Sequence, residues 1–511
     1  MVENLLLETF PGFYLAGNLY RPVTAQGRRP ALLTPHGHWK HGRLEDTDEY
    51  SGPSLGYHLA RLGFVVFAYD MVGYNDTRQL PHNFGNSASE RLWSFHPLGL
   101  QLWNSIRVVD YLVSRDDVDS SRIGATGASG GGTQTFLLAA VDERIRAAAP
   151  VNMVSAHFQG GCDCENAPGL RCGANNVEIA SMMAPRPLLL VAATGDWTRD
   201  TPKIEYPAVR AVYALHGAAR AVQYQQFEAK HNYNQASREA VYRFFRREFL
   251  KDRSCRECVE TPHPIADLQS LRVLEPEGLP SDALGRDALR QTWQEAQRTA
   301  SLAAPDPTLR ARLLRTAGLT WPLDVRLESG RLTRRGAGDY VPAQWLPADR
   351  ETATLVVHPD GAAAAAEWWK NHHQDGPTPS LLFIDAFQTG AAVEPRTAPQ
   401  GGHYLTFHYS DDAQRLQDIL TALAFLQARG FREIRLVGVK KAAVWCLFAA
   451  AVSPAPLTLH ARLNSFDGTD EDFEGDLFVP GIQRAGGLPA ALRLVRASAK
   501  RWGEPHTGGQ R

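Results

Sequence analysis

The chain has 511 residues, a length that suits two to four domains better than one core. Its 54 basic and 55 acidic side chains balance, which argues against a general binder of nucleic acid or of anionic membranes. No apolar stretch is long enough to span a bilayer, and "MVENLLLETFPGF" lacks a basic segment followed by an apolar core. Neither a membrane span nor a signal peptide is expected, which leaves a cytoplasmic protein or an exported one in mature form.

The first half alternates in the manner of a parallel sheet. "LLLETF" and "FYLAGNLYRP" flank Pro11-Gly12 as an opening hairpin. "PALLTPHGH" reads as a strand ending in a glycine loop, and "LGYHLARLG" as a helix. "FVVFAYDMVGYNDT" is a second strand running into a loop. "GLQLWNSIRVVDYLVSR" spaces its apolar residues three and four apart, as an amphipathic helix does. "RIGATGA" is the next strand and "GGTQTFLLAAV" the helix that follows. "RIRAAAPVNMV", "RPLLLVAATGD" and "AVQYQQFEAKHN" predict three more strands, and "SREAVYRFFRREFL" a closing helix.

Between "RIGATGA" and its helix lies Gly127-Ala128-Ser129-Gly130-Gly131, which fits G-x-S-x-G. That pattern is the strand-to-helix elbow that exposes a nucleophilic serine, with small flanking residues making room for a strained turn. A serine hydroxyl needs a base. His231, just after the strand "VQYQQFEA", is the first candidate; His216, inside a helical segment, and His263, beyond the domain, are weaker. The base needs an anion to fix its tautomer. Asp196, directly at the end of "LLLVAATGD", is preferred. Asp200 is an alternative acid, or else a cap for the helix after Pro202, and Glu165 on the preceding loop is a third option. An oxyanion needs two donors, assigned to the backbone amides of Gly130 and His38. The order serine, acid, histidine is that of an α/β-hydrolase.

Six cysteines are too few for a disulfide scaffold. Cys162-x-Cys164, Cys172 and Cys255-x-x-Cys258 do not form paired knuckles, so packed thiols or one disulfide are expected in preference to a metal. No cofactor is expected either.

"PHGHW", "AYDMVGYNDT", "DSSRIGATGASGGGTQT", "GGCDCENAPGLR", "MMAPRPLLLVAATGDWT" and "HNYNQ" together resemble the acetylxylan-esterase-like branch of the α/β-hydrolases over about residues 10–250. More distantly they are similar to glucuronoyl esterases. The resemblance implies a serine carboxylic-ester hydrolase acting on acyl groups attached to carbohydrate, with Ser129 as nucleophile, His231 as base and Asp196 as acid. Relatives among the glucuronoyl esterases can carry a carboxylate on the loop of Glu165. They have an arginine directly after the nucleophilic serine, where this chain has Gly130, a departure that bears on uronate-ester specificity.

Residues 261–340 are rich in Pro, Arg and Leu, with helical pieces "RDALRQTWQEAQ" and "DPTLRARLLRTAG" and hairpin-like "VRLESGRLTRRG". The first-half plan then recurs. "ATLVVHPDG" echoes "PALLTPHG", "SLLFIDAFQTG" echoes "FVVFAYDMVGY", "RLQDILTALAFLQARG" echoes the helix before the elbow, and "REIRLVGVKKAAVWCLFAAA" echoes the elbow itself. Lys440 falls at the position of Ser129. The expected organisation is a catalytic α/β-hydrolase domain (1–260), a helical and hairpin linker (261–340) and a degenerate hydrolase-like domain (341–511). Competing readings are a peptidase of prolyl-oligopeptidase type, which would need propeller repeats not seen here, and a non-catalytic carbohydrate-binding protein. The oligomeric state is left open.

Overall fold

The computed structural model describes residues 1–23, 27–254, 256–263, 267–274, 278–348, 350–373, 379–395 and 401–501. The chain forms two compact units. The first comprises Met1–Asn86 and Phe95–Thr292, the second Ser87–Ser94 and everything from Trp293 onward. Residues 261–340, expected as a separate linker, are therefore shared between the two units.

In the first unit an eight-stranded sheet runs in the order β1-β2-β4-β3-β5-β6-β7-β8. Its strands are β1 (Val2–Phe10), β2 (Phe13–Tyr20), β3 (Arg29–Pro35), β4 (Val65–Tyr69), β5 (Val118–Ala128), β6 (Ile145–Val151), β7 (Leu188–Gly195) and β8 (Val222–Lys230). The β1–β2 hairpin joins β4 antiparallel, and β4 through β8 are mutually parallel. Because successive strand residues face opposite sides, β3 sends Leu32 to one core cluster and Leu33 to another, and β4 divides Val66 and Phe67 in the same way. A sheet covered on both faces needs such continuous apolar strands. The helices of this unit are α1 (Gly52–Arg61), α3 (Pro97–Ser114), α4 (Gly130–Val141), α5 (Asn176–Ser181), α6 (Glu205–Leu215) and α7 (Gln235–Leu250). Ser51 and Asn234 accept backbone N–H bonds as the N-caps of α1 and α7.

One buried ion cluster ties the first strands together. The Arg43 guanidinium donates to both oxygens of Asp70 at 2.7 and 2.8 Å, to Asp76 at 2.6 Å and to Asn18 at 2.9 Å. All of this is shut away from water; with Asn75 Nδ2 donating to Asp70 Oδ1 at 2.8 Å, it accounts for the acids and amide of "AYDMVGYNDT".

The short helix α2 (Ala88–Leu92) belongs to the second unit, where Leu92 and Trp93 are buried in the core. Its backbone is held by Gly481 N–H to Arg91 O at 2.8 Å and Gln483 N–H to Leu92 O at 3.1 Å. This unit has its own eight-stranded sheet, in the order β16-β15-β14-β12-β13-β11-β10-β9. The strands are β9 (Val325–Glu328), β10 (Arg331–Arg334), β11 (Tyr340–Leu346), β12 (Thr352–Val357), β13 (Ser380–Ile384), β14 (Glu433–Gly438), β15 (Leu457–Ala461) and β16 (Ala499–Arg501). Read from β10 to β16, that is the order of β1 to β7, with the same antiparallel entry and parallel remainder. Among the described residues no helix is long and apolar enough to cross a membrane.

Candidate active site

Ser129 sits where β5 turns into α4, with φ 59° and ψ −127°. A side-chain-bearing residue rarely adopts that conformation. The flanking glycines allow it through space: a Cβ on Gly127 would lie 2.3 Å from Pro35 O, and one on Gly131 would lie 2.2 Å from the same oxygen. The elbow is further pinned by Ser129 N–H to Val151 O at 3.1 Å. Gly130 opens α4, so its N–H is among those a helix N-terminus leaves without an intrahelical partner.

Asp196 follows β7 and His231 follows β8, and the two side chains meet. His231 Nδ1 and Asp196 Oδ2 are 3.0 Å apart, with the carboxylate only 2% exposed and the imidazole 28%. The other oxygen, Asp196 Oδ1, accepts from Thr198 N–H at 2.7 Å and from the Thr198 hydroxyl. These bonds aim the carboxylate and leave one oxygen for the histidine.

The loop of "HNYNQ" is equally fixed. Asn152 Nδ2 donates to Asn232 O at 2.9 Å, and buried Tyr233 pairs its hydroxyl with Thr126 of β5 at 2.7 Å. Two indoles flank the imidazole: Trp197 at 4.3 Å and Trp39 at 6.4 Å between ring centroids. Neither tryptophan was singled out from the sequence.

The remaining candidates lie elsewhere. Asp200 forms an ion pair with Arg199 at 3.6 Å. It does not cap α6, whose N-cap is Ile204 with no side-chain bond. Glu165 is buried and turned into its own loop, accepting from the N–H groups of Gly161 at 3.0 Å and Cys162 at 3.1 Å. Burial raises its carboxyl above the usual range. His216 ends α6 on the surface, and His263 stacks on Tyr57 at 4.3 Å.

The "PHGHW" loop packs against the elbow. His36 is buried, its Nε2 accepts from Met71 N–H at 2.9 Å, and its Nδ1 lies 2.7 Å from Gly37 O. Burial lowers its imidazole to about 3. Gly37 lies against Ser129, since a Cβ there would come 2.9 Å from Ser129 Cβ. The His38 ring lies against Gly130, where a Cβ would meet its Cε1 at 2.7 Å.

His38 is also one of four side chains that converge. His38 Nε2 lies 3.1 Å from Cys164 Sγ and 3.2 Å from His82 Nε2, and His82 Nε2 lies 3.3 Å from Cys162 Sγ. A hydrogen bond with Cys164, working against burial and aided by His38 and His82, holds the Cys162 thiol well below its ordinary range. His82 escaped the sequence reading because nothing in "QLPHNFG" signals it; only the fold brings it to the C-x-C pair. Of the other cysteines, Cys258 is disulfide-bonded, and Cys255 lies outside the described residues.

A mostly parallel sheet with a serine elbow after β5, an acid after β7 and a histidine after β8 defines an α/β-hydrolase. Comparison with known proteins narrows the class. Residues 100–167 match the family model described as acetyl xylan esterase (AXE1). Over 248 residues the chain is 32% identical to the protein named "Putative hydrolase YtaP" of Bacillus subtilis (strain 168), covering 43% of this chain and 78% of that one. Among solved structures it is similar to "Methylesterase BT1017", with 33% identity and a TM-score of 0.50, over 59% of this chain and 66% of that one, just under two thirds. A glucuronoyl esterase from Solibacter usitatus is more remote, at 15% identity and a TM-score of 0.36 over 48% and 85% of the two chains. The chain belongs to the acetyl-xylan-esterase-like family of α/β-hydrolases.

Proposed function

We propose that the protein is a serine carboxylic-ester hydrolase that removes acetyl or other small acyl groups from carbohydrate-type esters. The observation that carries the proposal is the 3.0 Å contact between His231 Nδ1 and Asp196 Oδ2, in a sheet whose neighbouring elbow holds Ser129 at φ 59°. With Nδ1–H donating to Asp196, Nε2 is left as the lone pair that accepts the Ser129 proton. Ser129 Oγ then attacks the ester carbon, and the oxyanion is received by the Gly130 and His38 amides. The imidazolium returns its proton to the departing alcohol oxygen. Water, deprotonated by the same nitrogen, releases the acid from the acyl-enzyme.

Asp196 is favoured over Glu165 and Asp200 because those two carboxylates are engaged with Gly161 and Cys162 and with Arg199. The flanking indoles of Trp39 and Trp197 supply the flat apolar surface that a sugar ring can pack against.

The test is a panel of acetylated sugars, uronate methyl esters and peptides. The methyl esters are included because of the likeness to a methylesterase. Acetylated sugars should turn over fastest, and Ser129→Ala and His231→Ala should each lower kcat by on the order of 10⁴–10⁶. Either variant keeping a tenth of wild-type activity would refute the assignment, and turnover of peptides alone would favour the peptidase reading.

A further inference from the structure

We propose that His38, His82, Cys162 and Cys164 form a zinc-class metal site beside the nucleophile elbow. The four donor atoms, His38 Nε2, His82 Nε2, Cys162 Sγ and Cys164 Sγ, all lie within 4.8 Å of one another, the closest pairs 3.1–3.3 Å apart. Tetrahedral zinc, with Zn–S about 2.3 Å and Zn–N about 2.0–2.1 Å, sets donor-to-donor edges of roughly 3.3–3.8 Å. Three of the donor pairs already stand close to that spacing, and the whole set falls within 4.8 Å.

The tautomer of His82 gives an independent argument. Its Nδ1 lies 2.6 Å from Val72 O. A carbonyl only accepts, so Nδ1 carries a proton, and in the neutral ring the Nε2 lone pair then faces the cluster. A ring N–H given to a backbone carbonyl is the usual outer support of a metal-bound histidine.

The loop carrying the cysteines is held in shape by groups outside the donor set. Glu165 takes the Gly161 and Cys162 amides, and Asn166 Nδ2 donates to Gly160 O at 2.9 Å and Cys162 O at 3.0 Å. Arg171 donates to Glu165 O at 2.7 Å, and Asn86 Nδ2 ties the His82 loop across to Asp163 at 2.8 Å. Such rigidity suits a preformed ligand set.

Two thiolates and two neutral imidazoles neutralise a divalent cation and fill a tetrahedral shell. The site is therefore a clip and not a Lewis acid: it joins the loops after β3, β4 and β6 on the face that carries Ser129. By fixing the His38 ring against Gly130, it would position the loop that supplies the second oxyanion amide.

The full-length protein, expressed with added zinc and purified under reducing conditions without chelator, should carry one equivalent of zinc by mass spectrometry. Replacing zinc with cobalt(II) should give thiolate-to-cobalt charge transfer and intense tetrahedral visible bands. The Cys162→Ser/Cys164→Ser double variant and His82→Ala should lose the zinc, whereas Ser129→Ala and His216→Ala should keep it. Less than a tenth of an equivalent in the wild type together with no cobalt charge-transfer band would overturn the proposal. So would full zinc retention by the double-cysteine variant. If that variant does not fold, the wild-type cobalt spectrum decides alone.

Discussion

At Ser129 the strained backbone and the two close-packed glycines make a position that tolerates little change. The acid partner is the sharper question. Asp196→Asn should lower kcat by roughly 10⁴, through loss of the correct His231 tautomer, while Asp200→Asn should stay within a few-fold of wild type. Steady-state kinetics on an acetyl ester distinguishes them, and Glu165→Gln exceeding Asp196→Asn would move the acid to the earlier loop. The placement of Ser129, Asp196 and His231 after successive strands, and hence the meeting of His231 with Asp196, was legible in the sequence because each follows a strand in the right order. Trp39 and Trp197 were not, because an indole next to a catalytic motif looks the same as an indole in a core. A second residue-level prediction concerns His58, buried on α1 beside Tyr242 and His263. Burial lowers its imidazole to about 4, opposed by the Glu260 charge and aided by His263, Arg61 and Arg238. The neutral form is thus the folded form. Between its ordinary value and about 4 the unfolded chain binds a proton that the folded chain does not, so stability falls as pH drops through that window. The loss is on the order of 3 kcal/mol. Thermal melts of His58→Phe should show a flatter pH profile than wild type, and identical profiles would remove His58 from the account.

Among the elements, the Arg43 cluster shows how loop residues hold strands in place. Arg43→Met would leave Asp70 and Asp76 buried without their cation, at a cost of about 3–5 kcal/mol. The first thermal transition should fall accordingly, and an unchanged melting curve would mean that the carboxylates find other partners. The acids were visible in "AYDMVGYNDT", but their partner was not, because Arg43 lies in "HGRLEDTD" among several unremarkable charges. Strands and long helices were legible for a different reason: period-two and three-to-four spacings are local, and both faces of this sheet are covered. The cysteine–histidine cluster lay beyond that kind of reading. Its ligands come from three loops whose convergence only the sheet order creates.

At the scale of the molecule, the two sheets share a strand order, and Lys440 follows β14 at φ 52°, matching the left-handed turn at Ser129. The lysine is largely exposed, with Asp360 3.6 Å away. We read the second unit as a hydrolase-like copy without the chemistry, and Lys440→Ala should leave ester hydrolysis unchanged within error. A tenfold loss would contradict that reading. The echo of four elements was legible, but the assignment of residues 87–94 to this unit was not. Nothing in "SASERLWS" signals the unit it packs in, and only the structure shows Leu92 and Trp93 in the second core. Ending the chain after Thr292 should therefore leave those side chains without their packing and yield aggregated protein; a soluble, monomeric product would disprove this. The same excursion also bears on the order of synthesis. On a ribosome, Leu92 emerges roughly 390 residues before the Gly481–Arg484 segment that receives it, a delay of about 20–80 s at ordinary elongation rates. Through that interval Leu92 and Trp93 lack the core they occupy in the folded chain, so this early-made stretch reaches its final packing only after the last part of the chain is synthesised.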